Sequence, residues 1–403
     1  MSVHFHPLKI IDVKKETPDC VSVSFEVPDS LRQDFSYKQG QSLTMRTWIN
    51  DTEVRRTYSI CSSPLDNEWK VAIKKVEGGL FSIFANHQLK VGDIMEVMQP
   101  VGKFYTSLDP AQKKNYLAFA AGSGITPVLS LIKTTLATEP LSSFTLVYGN
   151  RSRGSIIFFE ELEGLKNRYM KRFNLLHVLS RERTDTAINY GRIEQSKLDE
   201  LDQLISYQGI DDFFLCGPEQ MIFTVRDFLI ARGIDRNKIH FELFTTPRQA
   251  GGTARGAEGL ETDNGSQIPR ADGGYNIRSP FPASGGLPDT VSPFPASGGT
   301  DRAGADAGAR SNITVRIDGR SFDFDLPFSS ESSVLEAALQ QGADLPYACK
   351  GGVCCTCKAR LLEGSVRMDV HWGLEDEEIT QGYILTCQSH PQSEKLVVDF
   401  DIK

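Results

Sequence analysis

A 65-residue segment of low sequence complexity, 247–311, most restricts how this chain can fold. It consists mainly of Gly, Ala, Pro, Ser, Asp and Arg, and the octapeptide Ser-Pro-Phe-Pro-Ala-Ser-Gly-Gly occurs in it twice, at 279–286 and 292–299. Such a composition cannot bury enough apolar surface to offset the entropy lost on ordering, and so long a loop within one compact domain is unusual. We therefore predict a disordered linker over 247–311, in which the octapeptide is a duplicated spacer rather than a groove-binding motif.

The sequence on either side of this linker predicts three folded domains. Residues 1–107 predict an antiparallel β-barrel, because apolar and polar residues alternate in segments that glycines separate. Residues 108–246 predict an α/β domain with a parallel sheet, since short apolar runs alternate with polar, helix-like segments. Residues 312–403 predict a compact α+β domain that begins with a hairpin around Asp318-Gly319. The chain is thus expected to be a multidomain protein.

Charge and hydropathy argue against two classes of partner. The 403 residues include 44 basic and 52 acidic side chains, a net charge of −8, which argues against nucleic acid. No run of about 18 apolar residues occurs and Met1–Ile10 has no signal-peptide hydrophobic region, so we expect a cytoplasmic protein without a membrane partner. Residues 312–403 contain 15 acidic and 8 basic side chains, a net charge of −7. The last domain is therefore acidic and the rest of the chain nearly neutral.

The cysteines of the acidic domain have the spacing of an iron–sulfur site. Cys349, Cys354 and Cys357 form a C-x4-C-x2-C pattern with Cys387 further on, which is the plant-type spacing for a [2Fe–2S] cluster. Gly351-Gly352 would let backbone amides approach the cluster sulfides. The alternative is a structural zinc site, but such sites usually have two closely spaced ligand pairs and this sequence has one. The additional thiol, Cys355, fits neither spacing and is predicted to be a spectator.

Two motifs in the predicted barrel are typical of flavin binding. In Arg56-Thr57-Tyr58-Ser59 a guanidinium can pair with a pyrophosphate, an aromatic ring can pack on an isoalloxazine face, and a hydroxyl can hydrogen-bond the flavin N5 edge. The second motif, Gly78–Ser82, includes Gly79 and Ser82 and provides a glycine-rich turn before a helix, where phosphate oxygens can bind. The alternative for that segment is a simple strand-to-helix turn.

Three loops of the predicted α/β domain favour a dinucleotide. The segment Gly122–Pro127, with Gly124 and Thr126, follows a strand and opens a helix, although it is not the full Rossmann fingerprint. Cys216-Gly217-Pro218 repeats this strand–turn–helix arrangement, and a small residue there would let a nicotinamide approach the flavin. Ser180-Arg181 follows the third parallel strand, where the ribose is expected, and suits the 2′-phosphate of NADPH better than NADH.

Taken together, these motifs resemble the ferredoxin–NADP reductase superfamily, with a C-terminal plant-type ferredoxin attached. The resemblance rests on Arg56–Ser59, Gly79–Ser82, Gly122–Pro127, Cys216–Pro218 and Glu242-x-Phe244. The order of flavin, nucleotide and ferredoxin domains is that of oxygenase reductase components, and 343–354 is similar to the reductases of ring-oxygenating complexes. The resemblance implies a β-barrel for FAD, a Rossmann-like domain for NADPH and a β-grasp ferredoxin fold.

The resemblance also implies a route for electrons, from NADPH to FAD, then to [2Fe–2S], then to a diiron oxygenase subunit. It implies catalytic roles for Tyr58 and Ser59 at the flavin and for Cys216 at the nicotinamide. Phe244 would cover the nicotinamide side of the flavin. Two alternatives remain open: a reductase for a different aromatic oxygenase or hydroxylase, and a redox-sensing protein that holds both cofactors without turnover.

Overall fold

The structure, a computed structural model, describes residues 4–244, 275–278 and 309–402. The chain divides into two units, one of them His4–Phe244 and the other Thr245–Lys403 together with Met1–Val3. Within the described ranges, no helix is long and apolar enough to cross a membrane.

The first unit opens with a six-stranded antiparallel sheet in the order β4-β3-β6-β1-β2-β5. A bridge between Ile60 and Val71 brings the residue after β4 against β5, so the sheet curls toward closure as predicted for a barrel. Its interior is filled by alternate side chains of these strands, such as Val21, Val23 and Phe25 of β2. The elements are β1 (His6–Thr17), β2 (Cys20–Glu26), β3 (Ser42–Ile49), β4 (Thr52–Ser59), β5 (Trp69–Lys74), α1 (Leu80–His87) and β6 (Ile94–Val97).

The same unit continues with a five-stranded parallel sheet in the order β11-β10-β7-β8-β9. The order reverses between β7 and β10, and ligands of open α/β sheets bind at such a switch point, beyond the carboxyl ends of the strands. Two predicted nucleotide loops follow these two strands. The elements are β7 (Asn115–Ala121), α2 (Ile125–Thr138), β8 (Ser143–Asn150), α3 (Phe159–Arg168), β9 (Phe173–Leu179), α4 (Gln195–Leu201), β10 (Asp212–Gly217), α5 (Glu219–Ala231) and β11 (Ile239–Leu243).

Helix α2 joins the two sheets through a polar seam. The Ser130 hydroxyl donates to the carbonyl oxygen of Ser62 at 2.6 Å, and the Lys133 ammonium lies 2.7 Å from Asp66 of the barrel. Lys133 also lies 2.7 Å from Glu161 of α3. Because α2 starts at the Gly122–Gly124 turn, this seam links the predicted nucleotide loop mechanically to the barrel.

The second unit contains a five-stranded mixed sheet in the order β14-β13-β19-β15-β17. The predicted hairpin turns at Asp318-Gly319, and both residues have positive φ, as a type I′ turn requires. The elements are β13 (Arg310–Ile317), β14 (Arg320–Pro327), α6 (Val334–Gln340), β15 (Lys358–Glu363), β16 (Ser365–Met368), α7 (Asp376–Thr380), β17 (Tyr383–Leu385), β18 (Ser389–Pro391) and β19 (Lys395–Asp399).

One short strand lies where the sequence predicts a structureless linker. Residues Tyr275–Arg278 form β12, which pairs antiparallel with β16 in a three-stranded sheet, β12-β16-β18. Ile277 packs in the hydrophobic core of this unit. The linker prediction is therefore wrong at these four residues, because a sheet edge and a core provide the partner that local composition does not reveal. It is also wrong at Arg310 and Ser311, which are the first residues of β13 and pair with β14. The two octapeptides and the rest of 247–308 lie outside the described residues.

Candidate functional site

The predicted flavin motif forms the end of β4, where it meets the second sheet of the same unit. Ser59 is buried, and its hydroxyl donates to the Glu242 carboxylate, with Oγ 3.3 Å from Oε2. The ring of half-buried Tyr58 packs 5.6 Å from the ring of Phe81, centroid to centroid, and burial raises the pKa of its hydroxyl. Arg56 donates to the carbonyl oxygen of Arg55, and the Thr57 hydroxyl lies 3.1 Å from that of Thr44.

The glycine-rich turn before α1 is closed by Ser82. The Ser82 hydroxyl accepts the Val76 amide at 3.0 Å and donates to the Gly79 carbonyl oxygen at 3.1 Å. A Cβ on Gly79 would lie 2.6 Å from Ser82 Oγ, so a larger residue here would displace the Ser82 hydroxyl from these hydrogen bonds. With its side chain engaged in the turn, Ser82 shapes the start of α1, whose first backbone amides could bind a phosphate.

The two predicted nucleotide loops touch at the switch point. A Cβ on Gly124 would lie 2.0 Å from the carbonyl oxygen of Cys216, so the loops can approach only because this residue is glycine. Gly122 has a φ of +55°. Thr126 and Pro127 are buried in the first turn of α2, and the Thr126 hydroxyl donates to the carbonyl oxygen of Ser123. Such a cradle of close backbone fits the phosphates of a dinucleotide.

The carboxyl end of β10 places a buried thiol beside a carboxyl group. Cys216 pairs in register with Glu242 of β11, and burial, followed by the Glu242 charge, raises the pKa of the thiol. Gly217 is half-buried, whereas Pro218 is exposed and precedes the first residue of α5. Ser59, Cys216 and Glu242, from three different strands, thus meet at one place.

Glu242 is a functional candidate to which sequence reasoning assigned no role. Its pKa is raised from 4.5 to about 8 by burial, partly offset by the Ser59 hydrogen bond. A carboxyl group with that pKa is mostly protonated at neutral pH, and can hold or release a proton beside Ser59. The sequence feature that could have pointed to Glu242 is its place in the motif Glu242-x-Phe244. Phe244 follows β11 with 43% of its surface exposed, so part of it is accessible to a ligand.

Ser180 and Arg181, which the sequence predicts to lie near the ribose of the nucleotide, are in the loop after β9. Ser180 is held by its neighbour β8, because its amide donates to the carbonyl oxygen of Asn150 at 2.9 Å. The next amide, of Arg181, donates to the carbonyl oxygen of Arg151 at 2.8 Å. These contacts place two exposed arginines, Arg151 and Arg181, side by side at the carboxyl ends of adjacent strands. Two neighbouring arginines at this edge suit a phosphate group.

The four predicted cluster ligands lie in two pairs. The Cys354 thiol, and then the amides of Gly351 and neighbouring residues, lower the pKa of Cys349 to about 6. The hydrogen bond with the Cys387 thiol, followed by burial, raises the pKa of Cys357. The charges of Cys354 and Cys349 raise this pKa further. Among the described residues, no three His, Cys, Asp or Glu side chains surround one point as for a single metal ion. Two thiol pairs are the donor set that two irons require.

The loop that carries these cysteines needs unusual backbone angles. Lys350, Gly352 and Cys355 all have positive φ. The Gly351 amide donates to Cys349 Sγ at 3.3 Å, as expected for a loop whose amides face sulfur. Cys355 donates its thiol to the carbonyl oxygen of Gly373. That Cys355 is a spectator stays a prediction.

Three family models match successive parts of the chain. An oxidoreductase FAD-binding domain matches residues 7–105, an oxidoreductase NAD-binding domain matches 119–227, and a 2Fe-2S iron-sulfur cluster binding domain matches 315–392. The three matches follow one another in the order that the sequence analysis predicted.

Similar proteins cover the chain from end to end. One subunit of the 1,2-phenylacetyl-CoA epoxidase of Escherichia coli (strain K12) is 39% identical over 400 residues, which span 99% of this chain and 98% of the relative. The ferredoxin reductase component of the 3-ketosteroid-9-alpha-monooxygenase of Rhodococcus rhodochrous is 33% identical, spanning 98% and 96%. Phthalate dioxygenase reductase has a similar fold, with a TM-score of 0.54, 23% identity and 98% coverage of both chains.

Proposed function

The chain belongs to the ferredoxin–NADP reductase superfamily, as a member with a C-terminal [2Fe–2S] domain, and from that premise we propose that it is the NADPH-dependent reductase of a multicomponent oxygenase. It is an electron-transfer oxidoreductase that binds FAD, a pyridine nucleotide and a [2Fe–2S] cluster. The observation that carries the proposal is the meeting of Ser59 with Cys216 and Glu242, where the flavin sheet adjoins the nucleotide switch point.

The residues of this site have separate tasks. Arg56 would hold the FAD pyrophosphate with Thr57 and the Gly79 turn, while Tyr58 would pack against the flavin ring and Ser59 would orient its N5 edge. Cys216 and Gly217 leave room for the nicotinamide, which Phe244 would cover. Glu242 would hold a proton next to Ser59. When bound, FAD would accept a hydride from NADPH and supply single electrons to the cluster on Cys349, Cys354, Cys357 and Cys387.

NADPH is the proposed nucleotide because of the arginines at the strand ends. Arg151 and Arg181 stand side by side next to Ser180, and a 2′-phosphate gives two guanidiniums a doubly charged partner that the ribose of NADH lacks. Gly122–Pro127 and Cys216–Pro218 would bind the rest of the nucleotide.

The proposed acceptor is the diiron oxygenase subunit of a complex that epoxidises the ring of phenylacetyl-CoA, in aerobic phenylacetate degradation. The name of the relative at 39% identity supports this acceptor. The steroid monooxygenase reductase at 33% supports the alternative of another oxygenase. Reconstitution with purified oxygenase components decides between them, because only the matching component should couple NADPH oxidation to substrate oxygenation.

We also propose the domain limits and the location that the sequence predicts. The FAD-binding barrel would span 1–107, the NADPH-binding domain 108–246 and the ferredoxin domain 312–403, with a linker between them interrupted by β12. The proposed location is cytoplasmic. Limited proteolysis followed by mass spectrometry of the fragments tests the limits directly.

Two cysteine variants test the function. Cys357→Ser should abolish cluster absorbance and support of the oxygenase, while NADPH-driven reduction of ferricyanide continues from the flavin. Cys355→Ser is the matched control, because it removes the neighbouring thiol that the sequence predicts to be a spectator, and it should keep both activities. If Cys357→Ser still supported substrate oxygenation, electrons would not pass through the cluster and the proposal would fail.

A further inference from the structure

A buried tyrosine lies beneath the first glycine of the nucleotide loop. Tyr148 on β8 has no exposed surface, and its hydroxyl donates to the carbonyl oxygen of Gly122 at 2.9 Å. In register, β8 places Tyr148 beside Ala120 of β7, two residues before that glycine. Burying a phenol hydroxyl is costly unless it forms a hydrogen bond. The Asn150 side chain and the Ile157 amide also act on this hydroxyl, and the hydrogen bond that it donates goes to the loop.

This contact fixes the orientation of one peptide plane. The Gly122 carbonyl oxygen accepts the Tyr148 hydroxyl and also the amide of Ile125, the first residue of α2. In a trans peptide the carbonyl oxygen and the next amide hydrogen point in opposite directions. With the Gly122 oxygen held toward Tyr148, the Ser123 amide must point away from the sheet, toward the side on which a ligand binds at a switch point.

We propose that Tyr148 is a positioning residue for the nucleotide: it holds the Gly122–Ser123 peptide so that the Ser123 amide is presented to the pyrophosphate. The inference rests on the proposed NADPH-dependent function. It adds a residue that would affect nucleotide affinity although it lies outside the binding loop. Gly122 has a φ of +55°, which is one of many backbone conformations that a glycine can adopt. A contact that fixes this conformation therefore matters more here than at other residues. Fixing this residue before the ligand arrives lowers the entropic cost of binding.

The chain offers a matched pair of tyrosines for the test. Tyr116, on the adjacent strand β7, is also buried, and its hydroxyl donates at the same distance, 2.9 Å, to the Glu139 carboxylate. Its contact lies near the amino ends of the strands, away from the nucleotide loop. Tyr148→Phe and Tyr116→Phe therefore remove the same buried hydroxyl from one sheet, and only the first removes it from the loop.

The experiment measures NADP⁺ binding by titration and NADPH–ferricyanide kinetics of the flavin-loaded full-length protein. Tyr148→Phe should raise the Kd of NADP⁺ and the KM of NADPH by about 2- to 10-fold, as expected for one lost hydrogen bond. Its kcat at saturating NADPH and its flavin content should stay within about 2-fold of wild type, because the Gly122 loop would contact the pyrophosphate and not the flavin or the reacting nicotinamide. Tyr116→Phe should leave Kd and KM unchanged.

Two results would overturn the inference. One is a Tyr148→Phe protein whose Kd and KM equal those of wild type; the other is an equal rise in both variants, which would indicate a general loss of stability. Wild-type protein that binds NADP⁺ but does not reduce ferricyanide would contradict the proposed function instead. The binding comparison would still decide the role of Tyr148.

Discussion

At the scale of single residues, the raised pKa of Glu242 predicts a specific dependence of stability on pH. The carboxyl group has a pKa of about 8 in the folded protein and about 4.5 when solvated. Its contribution to stability is therefore fully present below pH 4.5 and is lost as the pH rises through 8. Between pH 5 and 8.5, the Tm of wild type should fall relative to that of Glu242→Gln, by about 2–4 °C for each kcal/mol lost.

The control for this prediction is Glu26→Gln, which removes an exposed carboxylate at the end of β2. Its Tm difference from wild type should be nearly constant over the same pH range. Differential scanning calorimetry at four pH values measures both differences. A Glu242→Gln difference that does not change with pH would show that this carboxyl is ionised in the folded protein.

The exposed Arg181 predicts the nucleotide preference. Arg181→Ala should raise the KM for NADPH by about 10-fold or more, and the KM for NADH much less, because one guanidinium–phosphate pair is lost only with NADPH. Arg236→Ala removes an exposed arginine just before β11, at the opposite edge of the sheet, and should change neither constant. Equal rises for NADPH and NADH in Arg181→Ala would remove the specificity argument.

Residue spacing points to the four predicted cluster cysteines but not to Glu242, and the difference has a physical reason. The cluster ligands are recognisable because three of four lie within nine residues of sequence, so the spacing itself encodes the convergence. The importance of Glu242 depends on its register with Cys216 and on the approach of Ser59 from another sheet. Neither can be deduced from the sequence near Glu242, because both arise from tertiary packing.

At the scale of elements, helix α2 links nucleotide binding to the barrel. Its first turn belongs to the proposed nucleotide cradle, and two turns later Lys133 binds Asp66 of the barrel at 2.7 Å. Lys133→Met should slow flavin reduction by bound NADPH about 3- to 10-fold, since small errors in the distance and angle between donor and acceptor reduce the rate steeply. The Kd of NADPH should change less. Stopped-flow absorbance separates the two quantities.

Glu161→Gln is the informative control for Lys133, because it weakens the second ion pair of the same lysine, within the nucleotide domain. It should leave flavin reduction nearly unchanged while Lys133 still binds Asp66. If Glu161→Gln slowed reduction as much as Lys133→Met, the effect would come from the stability of the helices and not from the seam.

The elements also differ in how far the sequence alone could predict them. Strand β2 and the hairpin at Asp318-Gly319 follow from alternation and turn chemistry, which act locally. Strand β12 could not be predicted, because Tyr275 and Ile277 favour strands but form too short a run to be recognised within a Gly- and Pro-rich segment. The edge of β16 and the core around Ile277 stabilise it.

At the scale of the whole molecule, charge is concentrated in the domain that carries the cluster. The segment 312–403 has a net charge of −7, from 15 acidic and 8 basic residues, within a chain of −8. Helix α7 exposes Asp376 and Glu377, and the preceding turn is joined to the cysteine loop because the Gly373 amide donates to the Gly352 carbonyl oxygen at 2.9 Å. Acidic side chains next to an electron carrier can steer it to a basic surface on its acceptor.

This arrangement predicts that oxygenase coupling weakens as salt rises. Exposed charges are screened beyond about 8 Å at 0.15 M ionic strength, so the coupled rate at limiting oxygenase should fall several-fold between about 20 and 300 mM NaCl. NADPH–ferricyanide activity, measured in parallel, should change much less. The double variant Asp376→Asn/Glu377→Gln should lower the coupled rate at low salt and flatten its salt dependence.

The control is the double variant Asp323→Asn/Asp325→Asn, which also removes two negative charges from the ferredoxin domain. Both residues are exposed on β14, which forms one edge of the five-stranded sheet, whereas α7 leads into β17 at the opposite edge. This variant should behave as wild type if the acceptor docks near the cysteine loop. If both pairs of substitutions reduced the coupled rate equally, net charge alone would drive association. If neither did, the acidity of this domain would have no part in docking.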